Sequence, residues 1–111
     1  MEQISYTSVI MDVEFNHSDL RQLACDGAFV GGYQPGVVRK YRKIITEMQA
    51  VENRLSLYEW KALHFEKLKG DRKGQYSVKI NDQYRIIFLI SKNKDEKTET
   101  IVILEIGDYH K

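Results

Sequence analysis

The chain has 111 residues, 42% hydrophobic and 30% charged, with a formal net charge of +1. That length fits one domain, 1–111, which can bury roughly two-thirds of its unfolded surface in a single core. Its one cysteine, Cys25, excludes an intrachain disulfide and a zinc set of ordinary Cys/His spacing, and no apolar stretch has membrane-spanning length.

Residues 8–15 end in partial alternation and predict a first strand, after which Asn16, Ser18 or Asp19 caps a short helix. Leu20, Leu23 and Ala24 share a face of that helix, and Gly27 is the expected stop, where the chain adopts a left-handed conformation. Cys25 follows Leu23 and Ala24, so a packed thiol is expected rather than a nucleophile. Residues 31–36 read as a connector, with Pro35 placed to open a second helix. From 37 to about 51, Val38, Tyr41, Ile45 and Met48 recur at helical spacing and form a core stripe, with Arg39, Lys40, Arg42, Lys43 and Glu47 mostly on the solvated side. Residues 52–62 carry no clear pattern, and Trp60 is expected over one edge of the core.

Beyond Leu63 the period changes to two. Tyr76, Val78 and Ile80 alternate with polar residues, Asn81 and Asp82 supply a turn, and Tyr84, Ile86, Phe88 and Ile90 resume the alternation, which predicts a hairpin. Residues 91–98 are a polar connection, and 100–106 form a last strand, apolar on both sides and therefore central or covered. The order gives an α+β fold, with two N-terminal helices packed on a small, mainly antiparallel sheet. With no N-terminal basic region before an apolar run, a soluble cytoplasmic protein with no membrane partner is expected.

Charge is unevenly spread. Residues 1–60 carry 6 Lys/Arg against 8 Asp/Glu, residues 61–111 carry 11 against 8, and Lys61 to Lys79 alone carry 6 against 2. Such a run is either a solvated face or a site for a phosphate-bearing partner. The pleat that sends Tyr76, Val78 and Ile80 inward sends Lys79 outward, and Arg85 shares that outward face. With Lys67, Lys69, Arg72 and Lys73 from the preceding loop they can line one basic groove. Arg85 lies between apolar neighbours and needs a reason to be there: an anionic ligand, or a salt bridge to Asp82, Glu105 or Asp108.

After the last strand, Asp108, Tyr109 and His110 provide a carboxylate, a phenol and an imidazole, groups able to move protons or stack on a base; taken alone they are also an ordinary polar tail. Joined to the cationic hairpin, they suggest RNA scission without metal. A ribose 2′-hydroxyl attacks the adjacent phosphate, so the site needs a proton acceptor, cations for the growing charge and an acid for the leaving oxygen.

Three ordered segments, 68–77, 81–86 and 108–110, resemble the HigB toxins of bacterial toxin–antitoxin pairs, members of the RelE-like superfamily. The resemblance covers nearly the whole chain. It implies a ribosome-dependent endoribonuclease, without metal or cofactor, that cuts messenger RNA during translation. Its partners would be a HigA-like helix-turn-helix antitoxin, the ribosome and the messenger, with operator DNA reached only through the antitoxin. By the family's motif, Lys69 and Arg85 bind the scissile phosphate, Tyr109 and His110 position substrate and transfer protons, and Asp108 orients His110 or shares its duty. Lys67, Arg72, Lys73 and Lys79 are the expected RNA-binding cations.

Two positions depart from the pattern. Many relatives carry histidine three residues before the lysine of Leu-Lys-Gly, where this chain has Glu66; in an extended segment His64 would face the same side and partly substitute. Lys79 stands where relatives often carry arginine, a point charge in place of a planar fork, which implies a slower nuclease. Two rivals remain: a ParE-type toxin that poisons DNA gyrase by protein binding, and an inactive member that serves its antitoxin as a co-repressor.

Overall fold

A computed structural model of the chain describes residues 11–51, 54–94 and 98–108. Strand β1 (Asp12–Phe15) leads into helices α1 (Ser18–Cys25), α2 (Pro35–Ala50) and α3 (Arg54–Glu59), then β2 (Glu66–Lys67), β3 (Tyr76–Lys79), β4 (Tyr84–Lys92) and β5 (Glu99–Asp108). The five strands form one sheet in the order β1-β5-β4-β3-β2. Only β1 against β5 is parallel, so the sheet is mixed, and β5 lies inside it as its two-sided apolar sequence required. Tip residues 8–10 of the expected first strand lie outside the described residues.

All three helices cover one face. Leu20 and Leu23 from α1, Val38, Tyr41, Ile45 and Met48 from α2, and Leu57 from α3 join Val78, Ile80, Ile86, Phe88, Ile101 and Ile103 in one buried cluster. The α2 stripe is wider than the sequence suggested, since Val37 and Ile44 are buried too. Pro35 does occupy the first turn of α2, where its missing N–H costs nothing. Trp60 packs against the cluster as expected.

Three local readings change. The stop of α1 is not a left-handed Gly27: the helix ends at Cys25 in an extended Asp26, and the left-handed glycines are Gly31 and Gly32 farther on. The first residue before α1 is His17, with no side-chain cap from it; Ser18 and Asp19 lie inside the helix. Cys25 is exposed, not packed, because it lies off the Leu20–Leu23 stripe.

Arg42 also leaves the solvated face assigned to it. Its Nε donates to the Leu23 carbonyl (2.9 Å) near the end of α1, and its Nη2 to the carbonyls of Asp26 (2.8 Å), just after the helix, and Phe29 (3.1 Å), in the loop beyond. With the Tyr41 hydroxyl donating to the Leu20 carbonyl at 2.8 Å, it ties α2 to α1. Burial drives the Tyr41 phenol well above its usual pKa.

Helix α3 had no legible signal. Its six residues make too few turns for periodicity, and tertiary contacts hold it. Arg54 Nη2 pairs with Glu99 at 2.6 Å and Nη1 donates to the Tyr76 hydroxyl at 3.3 Å, joining α3 to β5 and β3. The hydrogen bond to the Glu99 carboxylate raises the already high Arg54 pKa and outweighs burial, which lowers it.

Candidate functional site

The hairpin forms where its alternation placed it. Asn81 Oδ1 accepts from the backbone N–H of Gln83 (2.9 Å) and Tyr84 (2.7 Å), an Asx turn that fixes the register Lys79↔Arg85, Val78↔Ile86 and Ser77↔Ile87. Val78 and Ile86 therefore enter the core, and Lys79, Arg85 and Ser77 lie together on the face opposite the helices. A bulge in β5 sends Glu105 to that face as well. Ile87 opposes Glu105 but Phe88 opposes Ile103, so Leu104 is the extra residue and the alternation of β5 shifts by one. Ile101 and Ile103 point inward before the bulge, and Ile106 packs on the core after it.

Arg85 is half-buried and its guanidinium is held by neutral acceptors. Its Nε donates to the Ser77 hydroxyl at 2.8 Å and its Nη2 to the His64 backbone carbonyl. Among the described residues no carboxylate pairs with it, so the salt bridge to Asp82, Glu105 or Asp108 weighed from the sequence is not formed. Those carboxylates have other partners. Asp82 takes Lys79 at 2.9 Å, which holds the Asp82 carboxyl below its usual pKa, and Glu105 takes Arg72 Nη2 at 2.7 Å. Arg72 Nη1 also donates to Gln75 at 2.9 Å, so this cation reaches the Arg85 face already engaged.

The lysines gather elsewhere. Lys67, Lys69 and Lys73 line a cleft of about 390 Å³ in the connection between β2 and β3, with Leu68, Gln75 and Tyr76 in its wall. Among the described residues none of the three forms an ion pair. Gly70 (φ 65°) and Gly74 (φ 92°) take left-handed conformations in this loop, which keeps its turns free of side chains. In the β2–β3 register Lys67 opposes Tyr76 and Glu66 opposes Ser77, so the pleat gives Lys67 to the Tyr76 face and Glu66 to the Arg85 face. The single groove expected from the sequence is thus two adjoining cationic regions.

Asp108 is separated from Arg85 by the same pleat. It opposes Tyr84, whereas Arg85 opposes Gly107, and its Oδ2 accepts from Gln83 Nε2 at 3.4 Å. Burial, then the neighbouring Tyr84 and Asp108, raise the pKa of the half-buried Tyr33, whose ring meets Tyr84 edge-on at 5.4 Å. Tyr109 and His110 lie outside the described residues. The pairing of His64 with Glu66 fails because the extended segment begins only at Glu66. His64 closes a 3-10 turn (Lys61–Leu63) in a left-handed conformation, φ 49° and ψ 55°. What it brings to Arg85 is its backbone carbonyl.

Ser77 and that carbonyl were not found from the sequence. The parity that put Lys79 outward puts Ser77 outward as well, and that signal was available. The carbonyl had none, since backbone direction at a left-handed turn does not depend on side-chain pattern.

A model of the HigB-like toxins, RelE-like toxins of type II toxin–antitoxin systems, matches residues 13–103. The chain belongs to this family. It is therefore the toxin of a type II toxin–antitoxin pair, and an antitoxin is its partner by definition of the class. Among solved structures the HigB-like chain resembles the YoeB/ParE toxin from Agrobacterium tumefaciens, with a TM-score of 0.57 at 16% identity, over 90% of this chain and 100% of that one. The YoeB dimer from Staphylococcus aureus aligns with a TM-score of 0.44 at 19% identity, over 91% and 98% of the two chains. The first likeness supports the α+β toxin fold and says nothing of activity. No curated protein matches the chain. No helix among the described residues is long and apolar enough to cross a membrane.

Proposed function

We propose that this HigB-like toxin is a ribosome-dependent endoribonuclease that cuts messenger RNA through attack of a 2′-hydroxyl on the adjacent phosphate, and so stops translation in the cytoplasm. The observation that carries the reading is the charge left over on and before the hairpin: Arg85 is held by neutral acceptors, and in the connection before β3 Lys67, Lys69 and Lys73 line a cleft without ion pairs among the described residues. Uncompensated cations at fixed positions attract the phosphodiester and stabilise the charge that grows on it during cleavage. Lys69 and Arg85 act on the scissile phosphate in this reading. Lys67, Arg72, Lys73 and Lys79 hold the flanking backbone. The Arg72–Glu105 and Lys79–Asp82 pairs are open to solvent, which screens them, so either cation can exchange its carboxylate for a phosphate.

Proton transfer falls to Asp108, Tyr109 and His110. Asp108 lies across the sheet from Arg85 at the strand end, so its part is to orient the terminal residues rather than to touch the phosphate. A HigA-like helix-turn-helix antitoxin neutralises the toxin and carries it to operator DNA. The test is the order of events after induction without antitoxin. Incorporation of labelled amino acids should fall before any DNA-damage response; damage first would favour gyrase poisoning, and unaltered growth a co-repressor.

A further inference from the structure

Three other arginines show what partners this fold gives a guanidinium. Arg42 caps backbone carbonyls at and beyond the end of α1, Arg54 is neutralised by Glu99, and Arg72 by Glu105. Arg85, like Arg42, has no carboxylate partner and donates from Nε and Nη2, but it makes two such bonds where Arg42 makes three, and one of them goes to a side-chain hydroxyl. Its two partners are a hydroxyl and a single carbonyl from distant parts of the chain, and both contact only one edge of the fork. A guanidinium has five N–H groups; with Nε and one from Nη2 in use, three remain.

The hydroxyl is the more telling partner. Ser77 is completely buried, in a strand whose neighbouring positions are apolar or cationic. A buried hydroxyl is costly unless bonded, and its oxygen accepts from Arg85 Nε at 2.8 Å. The geometry follows from the register: Arg85 opposes Lys79, Ser77 lies two residues back on the same face, and the long side chain of Arg85 runs along β3 to reach it. The second acceptor, the His64 carbonyl, is presented by a residue in a left-handed conformation, the one such non-glycine among the described residues. Left-handed backbone at a residue with a Cβ is disfavoured and persists where the surroundings fix it. The His64 side chain is exposed and has no part in the contact.

We infer that Ser77 is a positioning residue for Arg85: with the His64 carbonyl it forms a neutral clamp that fixes the guanidinium plane and leaves its charge and its free N–H edge for the phosphate. A carboxylate in place of Ser77 would fix the plane equally well but would cancel the charge. The inference rests on the RNA-cleaving reading above and adds to it the groups that set the orientation of Arg85.

The test is single-turnover cleavage of messenger RNA on programmed ribosomes, by wild type, Ser77→Ala, Arg85→Ala and the Ser77→Ala/Arg85→Ala double variant. Misplacing a group by about 1 Å can cost on the order of 100-fold in rate. Ser77→Ala should therefore cut about 10- to 100-fold more slowly at saturating ribosomes, with little change in KM and an unfolding midpoint near that of wild type. It should cost nothing further in the Arg85→Ala background, because a residue that acts through Arg85 is silent once Arg85 is gone. If Ser77→Ala does not fold, Ser77→Cys, similar in size but a weak acceptor, takes its place.

A Ser77 variant at the wild-type rate overturns the inference, as does an equal loss with and without Arg85. Each of these leaves the nuclease reading standing if wild type cuts. No cutting by folded wild type removes that reading and the inference together.

Discussion

On the helix-covered face of the sheet, Val78, Ile80, Ile86, Phe88, Ile101 and Ile103 are each 3% exposed or less, while the opposite face of the same strands carries Ser77, Lys79, Arg85 and Glu105. Except at the β5 bulge, the two faces are one residue apart. The covered face is held by packing, so it tolerates little change of volume. On the other face, apart from the buried Ile87, the charged side chains are held by directed bonds to a few atoms, so their geometry can fail while the fold survives. Stability and activity should therefore separate cleanly between neighbouring residues of β3 and β4.

The largest expected difference is between Phe88 and Arg85. Phe88 is fully buried and meets Phe65 at 5.8 Å and Tyr76 at 5.9 Å. Phe88→Ala should cost about 3–5 kcal/mol in denaturant unfolding. Arg85→Ala should cost about 1–2 kcal/mol, from the bonds it leaves unmade, and yet lower cleavage by about 100-fold or more. Equal losses of stability in the two variants would erase the distinction between the faces.

Tyr41 sharpens the account of the covered side. Its folded pKa is raised by burial above an unfolded value of 10.0, so the phenol stays neutral in the fold while the unfolded chain ionises. Its contribution is complete below pH 10 and is lost as pH rises from there through the folded value. Unfolding midpoints measured between pH 8 and 11.5 should fall above pH 10 less steeply in Tyr41→Phe than in wild type. That variant should also lose about 1–2 kcal/mol at neutral pH, since it leaves the Leu20 carbonyl without its donor.

Smaller effects belong to the paired cations. Arg54→Ala and Arg72→Ala should each cost about 1 kcal/mol or less, because both pairs are partly exposed. Arg72→Ala should also weaken RNA binding and flatten its salt dependence without abolishing cleavage. The smallest is a titration. Carbon-detected NMR should place the Asp82 carboxyl below the usual carboxylate range in wild type and return it upward in Lys79→Ala.

How much of this was legible before the structure depends on which force set each feature. The α2 stripe, the Pro35 start, the hairpin and the shared face of Lys79 and Arg85 follow from period and parity, which any sequence displays. Cys25 and Arg42 were misplaced because neighbouring residues, not their own type, decide whether they pack. The parallel pairing of β1, the β5 bulge and α3 depend on contacts between distant segments. The candidate cations could be named from the sequence, but their division could not. Lys67, Lys69 and Lys73 went to a cleft, Arg72 to Glu105, and Asp108 to the Tyr84 side, because loop path and strand parity act after charge has been counted.

The measurement that bears most directly on the central claim is primer-extension mapping of a messenger RNA in a cell-free translation reaction, with and without ribosomes, for wild type, Arg85→Ala and Arg72→Ala. The account predicts new 5′ ends that need ribosomes, vanish in Arg85→Ala and persist at reduced intensity in Arg72→Ala. Cuts that survive in Arg85→Ala, or no cuts from folded wild type, would contradict it.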